Sequence, residues 1–231
     1  LIPVARVPAP TVLKINAARW SSKFKALYTD PTATKEKIKN AQNKYRHPEI
    51  KNVLDKKMFH GKCAYCESKI TVVDYGDIEH FFPKSKYIDK IFEWSNLLLS
   101  CKICNDANHK GTEFPLDSNG DPLLIDPTDG ATNPNKHLEF VWDDVAGLAS
   151  IYGRDQRGKT VEMIFDLNGI RGRKELIAHR SKYVKRLFAL LRFAQSGDEG
   201  AIALLHECCD SNAEYSAFAR VYIHPNLPNP N

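Results

Sequence analysis

The chain has 231 residues, of which 42% are hydrophobic and 26% charged, and its formal net charge is +5. That length can build one sizeable core, or a small core with helical extensions. No apolar run reaches the ~18 residues of a membrane span. The proline-rich first ten residues hold no apolar stretch of secretory-leader type, so the chain reads as cytoplasmic.

The first predicted elements are helical. Leu13, Ala17, Trp20, Phe24 and Leu27 recur at three- and four-residue steps and so share one helix face. Asp30-Pro31 breaks the pattern, and Thr32 or Thr34 can cap a second helix running to about Tyr45. His47-Pro48 breaks it again before a short helix near Pro48–Met58. Residues 116–136, rich in Asp, Pro, Gly and Asn, read as loop. Leu138 to Tyr152 reads as a β-hairpin, with Asp143-Asp144 and Gly147 at its turn. A helical pattern starts at Thr160 and stops at Asn168-Gly169. A basic amphipathic helix follows from about Gly172 to Ala194, then a last one around Glu199–Cys209, and the Pro/Asn-rich tail from His224 to Asn231 reads as loose. The implied organisation is an N-terminal helical arm over 1–57, a central region over 58–115, and a hairpin with C-terminal helices over 116–231.

Charge is unevenly spread. Residues 1–57 carry a net +9, 58–115 carry −1, 116–150 carry −6, 151–195 carry +7 and 196–231 carry −4. Two basic segments therefore flank a near-neutral centre, which suits a polyanion held by its flanks, although solvated helix faces would give the same pattern.

Four of the six cysteines form two CxxC pairs, Cys63/Cys66 and Cys101/Cys104. Zinc takes four soft ligands in a tetrahedron, and each CxxC knuckle offers two from one tight turn. In a chain without a secretion signal this pattern points to a structural Zn²⁺ rather than disulfides. Cys208 and Cys209 lie on an apolar helix face and read as buried small hydrophobes.

Between the knuckles runs Asp77-Ile78-Glu79-His80-Phe81-Phe82-Pro83-Lys84-Ser85, then Trp94-Ser95-Asn96-Leu97-Leu98, and after Cys104 comes Asn105-Asp106-Ala107-Asn108-His109-Lys110-Gly111. Neutral His is a suitable base near pH 7. Glu79 and Asn105 offer the oxygen ligands that a hard divalent ion such as Mg²⁺ prefers. Adjacent strand residues point to opposite faces, so a Glu79–His80 partnership needs a bend.

The patterns CxYCE, IEHFxPKS, WxNLLLxC and CxxCN resemble the HNH endonuclease superfamily, in particular the bacterial branch that includes the PtuB subunit of Septu and retron antiphage defence. The strong match covers about 50 residues, with weaker echoes at Arg6–Pro10, Pro122–Pro127 and Asp166–Asn168. The resemblance implies an α+β fold with a ββα-metal core and structural zinc, flanked by N- and C-terminal helices. It implies a metal-dependent endonuclease cutting DNA, with Mg²⁺ or Mn²⁺ as catalytic ion. His80 would be the general base, Glu79 and Asn105 metal ligands, and Asn96 the residue holding the inter-strand loop. It further implies assembly with an ABC-type ATPase (PtuA-like). The chain has no GxxxxGK[ST] phosphate loop of its own.

Two departures stand out. The acidic partner is Glu rather than Asp, and His109 competes with Asn105 as last ligand, since residues 105 and 109 share one side if the segment is helical. Asn105 can also be read as a plain helix cap. Lys84, Lys110, Arg171, Arg173, Lys174, Arg180, Lys182, Lys185 and Arg186 are the expected nucleic-acid contacts. RNA as substrate, or a zinc module that binds without cutting, are the competing readings. The Glu79-His80, Asn96 and Asn105 set speaks against the latter, because a binding module does not require it.

Overall fold

The structure, a computed structural model, describes residues 1–72 and 74–227. Of the tail expected to be loose, His224–Asn226 forms a single 3₁₀ turn, and residues 228–231 lie outside the described residues. The chain divides into two compact units. One comprises residues 5–64 and 70–114, the other 1–4, 65–69 and 115–231. The helices of the first 57 residues thus belong to the same unit as most of the central region.

In the first of these units, helix α1 spans Thr11–Thr29, α2 spans Lys35–Gln42 and α3 spans Pro48–Asn52. Thr34 caps α2 by accepting from Lys37 N at 3.3 Å, and Pro48 starts α3 where its missing N–H costs nothing. The chain continues from α3 as a π-turn over Val53–Phe59. His60 (φ 51°) and Gly61 (φ 74°) then reverse it in left-handed conformations before Cys63.

Strands β1 (Asp77–His80) and β2 (Leu97–Ser100) form a two-stranded antiparallel sheet, with Asp77 opposite Ser100 and His80 opposite Leu97. β2 is wholly buried, as its continuous Leu run requires. Helix α4, Lys102–Asn105, follows directly. The order is ββα, but the helix is one turn long.

The apolar face of α1 and α2 covers the segment between the strands. Phe24, Ala41, Tyr45, Ile91 and Phe92 form one buried cluster, with Trp20, Leu27, Ile38 and Ile78 packed around it. Phe24 and Ile91 are fully buried, each contributing on the order of 1.5–3 kcal/mol. The first echo also finds its place here. Arg6 donates to the carbonyls of Trp94 and Leu97 at 2.5 and 3.1 Å, and Trp94 Nε1 donates to Val7 O at 2.8 Å.

In the other unit, helix α5 (Pro134–His137) leads into the hairpin of β3 (Leu138–Asp143) and β4 (Leu148–Gly153). Asp143 Oδ1 accepts from Val145 N and Ala146 N at 2.9 Å each, which shapes the turn. Helix α6 runs Gln156–Ile164, starting before the expected Thr160 because Asp155 caps it through Gly158 N at 2.9 Å. Helix α7 spans Lys174–Gln195 and α8 spans Glu199–Cys209, the latter capped by Asp198. A further short helix α9, Ser216–Phe218, and the π-turn Ala219–Ile223 were not expected from sequence. Cys209 sits in the core with Leu187, Leu191, Leu205 and Ile223.

Here the basic segment departs from expectation. Arg180 is fully buried, and its guanidinium donates to Ala149 O at 2.7 Å and Leu167 O at 2.9 Å, so it ties α7 to the hairpin instead of meeting solvent. Burial lowers it to about 10, which leaves it charged at neutral pH. Arg171 donates to Met163 O and Ile164 O, and Arg173 to Phe165 O at 2.6 Å, so both close the carbonyl end of α6. Lys174, Lys182, Lys185 and Arg186 remain exposed. The third echo is structural as well. Asp166 accepts from Arg171 N and Arg173 N at 3.0 Å each, and Asn168 brackets the N–H and carbonyl of Ile151 at 2.9 and 2.8 Å.

Candidate active site and cysteine cluster

The cleft lies at the end of β1. It encloses about 500 Å³ and is lined by Tyr45, Arg46, Lys51, Asp77, Glu79, His80, Lys84 and Asn105, among others. Strand alternation sorts the side chains. Ile78 packs towards the α1–α2 cluster and His80 against Tyr45, while Asp77 and Glu79 share the other face with Asn105 and Lys110. Glu79 and His80 nevertheless line one cleft, because His80 is the last residue of the strand.

His80 is 4% exposed. Its Nε2 lies 3.1 Å from Ile91 O. A carbonyl only accepts, so Nε2 carries the hydrogen and Nδ1 keeps its lone pair. The Tyr45 ring stands edge-on to the imidazole, with centroids 4.5 Å apart and planes at 85°. Burial first, then the nearby Lys84 charge, push His80 down to about 3, against the raising effect of the Ile91 bond. The imidazole is therefore neutral at physiological pH.

Asn96 is buried, and all its side-chain bonds go to the segment after His80. Oδ1 accepts from Phe82 N at 2.7 Å, and Nδ2 donates to Phe82 O at 3.2 Å and Lys90 O at 2.9 Å. One amide thus closes the 82–90 excursion beside the Ile91 carbonyl that orients His80.

Glu79 and Lys110 are both buried. Lys110 Nζ lies 2.5 Å from Glu79 Oε1 and donates to His80 O at 2.9 Å. Burial pushes the Glu79 carboxyl up and the Lys110 ammonium down, and their mutual attraction opposes both shifts. Lys110, expected on phosphate, has no exposed surface and is spent on these two partners.

Asn105 Nδ2 donates to Asp77 Oδ2 at 3.1 Å, bringing an amide and a second carboxylate together at the cleft. His109 is placed differently. Helix α4 ends at Asn105, and His109 Nδ1 turns back to Asp106 Oδ1 at 3.0 Å, so residues 105 and 109 do not share a helix face. Lys84 stays at the cleft, its Nζ 5.8 Å from the Tyr45 ring centre. Sequence reasoning missed Asp77, Tyr45 and Lys51. The signal for Asp77 was its two-residue offset from Glu79 on a strand, which puts both on one face. Lys51, whose Nζ donates to Gly76 O at 2.6 Å, and Tyr45 enter from distant helices and left no local signal.

The sulfurs of Cys63, Cys66, Cys101 and Cys104 all lie within 4.8 Å of one another, close enough to share one metal ion. Ala64 N donates to Leu99 O at 2.8 Å, which ties the first knuckle to β2, and Cys104 N donates to Cys101 Sγ at 3.4 Å in the second. Cys208 and Cys209 are not among the clustered ligands of the described residues.

A family model described as HNH endonuclease matches residues 63–111, the stretch that holds both knuckles, β1, β2 and α4. The chain is 32% identical over 211 residues to the Septu protein PtuB of Bacillus mycoides (strain KBAB4), which covers 80% of this chain and 68% of that protein. It is also 32% identical over 155 residues to the Septu protein PtuB of Bacillus thuringiensis, covering 67% of this chain and 54% of that one. Among the described residues no helix is long and apolar enough to cross a membrane. With Asp77, Glu79, His80 and Asn105 of the cleft inside the matched segment, the chain belongs to the Septu PtuB family and is an HNH endonuclease, a phosphodiester hydrolase.

Proposed function

We propose that this nuclease cuts DNA with His80 as general base, serving as the effector of a Septu antiphage defence assembly. The observation that carries the reading is the bond from His80 Nε2 to Ile91 O, which leaves Nδ1 as the proton acceptor. In the reaction Nδ1 takes a proton from the attacking water, and the water oxygen attacks phosphorus in line with the departing sugar oxygen. Tyr45, Ile91 and the Asn96 bonds hold the ring while this happens. Lys84 and Arg46 line the cleft and would meet the phosphate, whose negative charge offsets the cationic field that adds to burial in holding His80 low.

The donor set of the cleft suits a hard divalent ion, because Asp77, Glu79 and Asn105 present oxygens and no thiolate. Glu79 and Asn105 would hold Mg²⁺ or Mn²⁺, with Asp77 beside Asn105. When bound, such an ion would neutralise charge on the scissile phosphate and leaving oxygen. The four cysteines suit Zn²⁺ in a structural role, since a closed thiolate set leaves no position for substrate. Exposed Lys174, Lys182, Lys185 and Arg186 on α7 supply further phosphate contacts. The family relationship supports an ABC-type ATPase, PtuA-like, as the partner that supplies nucleotide-dependent control.

The test is plasmid and RNA cleavage by the purified chain, alone and with a co-expressed ATPase neighbour, across a Mg²⁺ or Mn²⁺ titration. His80→Ala should lower the rate by roughly 10² to 10⁴ while binding persists. Glu79→Ala and Asn105→Ala should raise the metal requirement, with His109→Ala milder. Parental cutting by His80→Ala, or a stronger metal dependence in His109→Ala than in Asn105→Ala, would overturn these assignments.

A further inference from the structure

Away from the catalytic cleft, but in the same compact unit, α1 and α2 enclose a second groove of about 600 Å³. Its floor is apolar, with Trp20, Leu27 and Ala41, and its rim carries Arg19 and Lys23 from α1 and Lys37 and Lys44 from α2 and the turn after it. Among the described residues no carboxylate lines it. All four cations are exposed. Arg19 donates only to the neutral Asn16, and the carboxylate of Asp30, near Lys37, already accepts from Thr32 N and Oγ1. The Trp20 indole is held by an edge-on contact with Phe92, with centroids 5.8 Å apart.

The groove and the cleft meet along the chain. In the single 3₁₀ turn Asn43–Arg46, Lys44 lines the groove while Tyr45 and Arg46 line the cleft that holds His80. A ligand crossing this turn would touch cationic surface on both sides.

We propose that the α1–α2 groove binds a single-stranded segment of nucleic acid that runs on from the catalytic cleft. An aromatic and aliphatic floor with a cationic rim matches the two halves of a nucleotide strand, stacking faces and phosphates. A duplex, with its bases stacked inside, presents only phosphate and sugar to such a groove and cannot use Trp20. Arg19 and Lys23 are one turn apart on α1, about 6 Å along the axis, and so can follow successive charges of one strand. The proposal rests on the nuclease reading only in supposing that the gripped strand leads to His80.

The test is fluorescence anisotropy in EDTA with an oligothymidine of about 30 nucleotides and a duplex of similar length, over a salt series. The variant carries Arg19→Gln, Lys23→Gln, Lys37→Gln and Lys44→Gln. A control of equal net charge carries Lys136→Gln, Arg154→Gln, Lys159→Gln and Arg192→Gln, all exposed positions outside the groove. Four lost contacts should flatten the single-strand log–log salt slope by about 3, and weaken binding at least tenfold near 0.1 M salt, with a smaller effect on duplex. Each single substitution should account for about 0.7 of slope, which keeps the test readable if the quadruple variant unfolds. Unchanged single-strand binding, an equal loss in the control, or an equal loss on duplex would overturn the proposal. A parent that binds the single strand through these residues, yet cuts nothing in a separate assay with Mg²⁺ or Mn²⁺ and the co-expressed ATPase neighbour, would sink the nuclease reading and leave the groove standing.

Discussion

The His80 ring and the Ile91 carbonyl, 3.1 Å apart, join the end of β1 to the core of the helical layer. Ile91 is fully buried against Phe24 and Tyr45, so the carbonyl that fixes the imidazole tautomer is positioned by the packing of α1 and α2. The helices that precede the motif thus help to orient the His80 ring.

Burial of a neutral His80 makes stability depend on pH. The folded value is about 3, against about 6.5 when unfolded. Between those limits the unfolded chain binds a proton that the folded chain does not, so stability rises with pH there. The penalty is absent above about pH 6.5 and grows as pH falls towards 3, to a few kcal/mol. His80→Asn cannot titrate in this range. Thermal melts of parent and variant at neutral and mildly acidic pH should show the parent losing more stability on acidification. Parallel losses would mean that His80 is solvated in the folded protein.

Asn96→Ala removes the acceptor of Phe82 N and the donor to Lys90 O in a buried site. Leaving buried backbone groups unpaired costs roughly 1–3 kcal/mol each. The variant should melt lower and cut more slowly, because the Ile91 carbonyl loses its frame. Asn96→Asp should restore the acceptor but not the donor, and so recover only part of the stability. Circular-dichroism melts with single-turnover cleavage check this, and an Asn96→Ala protein as stable and active as the parent would refute the bracing role.

Much of this architecture was legible where local rules act alone. Thr34, Pro48 and Asp198 mark helix starts by capping chemistry, and Leu97-Leu98-Leu99 shows a buried strand by its unbroken apolarity. The α6 start was missed because Asp155 caps a polar first turn without apolar periodicity. The basic segment misled for a different reason. A count of charges cannot tell Arg180, buried on two backbone carbonyls, from Lys182, exposed two residues further along the same helix. Lys110 is the same lesson beneath the cleft, since only the fold shows that Glu79 lies opposite it. Helix α4 ends after one turn, where Asp106 is extended and its carboxylate accepts from Asn108 N at 2.9 Å, and this local turn separates Asn105 from His109.

The cysteine cluster predicts metal content. Four thiolates within 4.8 Å would repel one another without a cation, so the folded chain should carry one tightly held Zn²⁺. Elemental analysis after dialysis should give one zinc per chain. Cys101→Ser should lower both zinc content and melting temperature, because metal affinity contributes directly to folding. Folded, dialysed protein with near-zero zinc would remove the metal from this account.

The buried Lys110–Glu79 contact allows a sharper test, because its members fail differently alone and together. Lys110→Met strands the Glu79 carboxylate in a dry site and should cost roughly 3–5 kcal/mol. Glu79→Gln strands the ammonium, although Lys110 keeps its bond to His80 O at 2.9 Å. The double variant buries no charge and should recover most of the loss, so the cycle should show strong coupling between the two positions. Activity should not follow stability. The double variant lacks the donor to His80 O at the end of β1 and the carboxylate proposed to hold the divalent ion, so it should fold nearly as well as the parent and still cut poorly. Denaturant unfolding of all four proteins, with cleavage rates measured across a metal titration, separates the two effects. Additive stability losses would show that the pair is solvent-screened, and a double variant cutting at the parental rate with the parental metal requirement would remove Glu79 from the metal site.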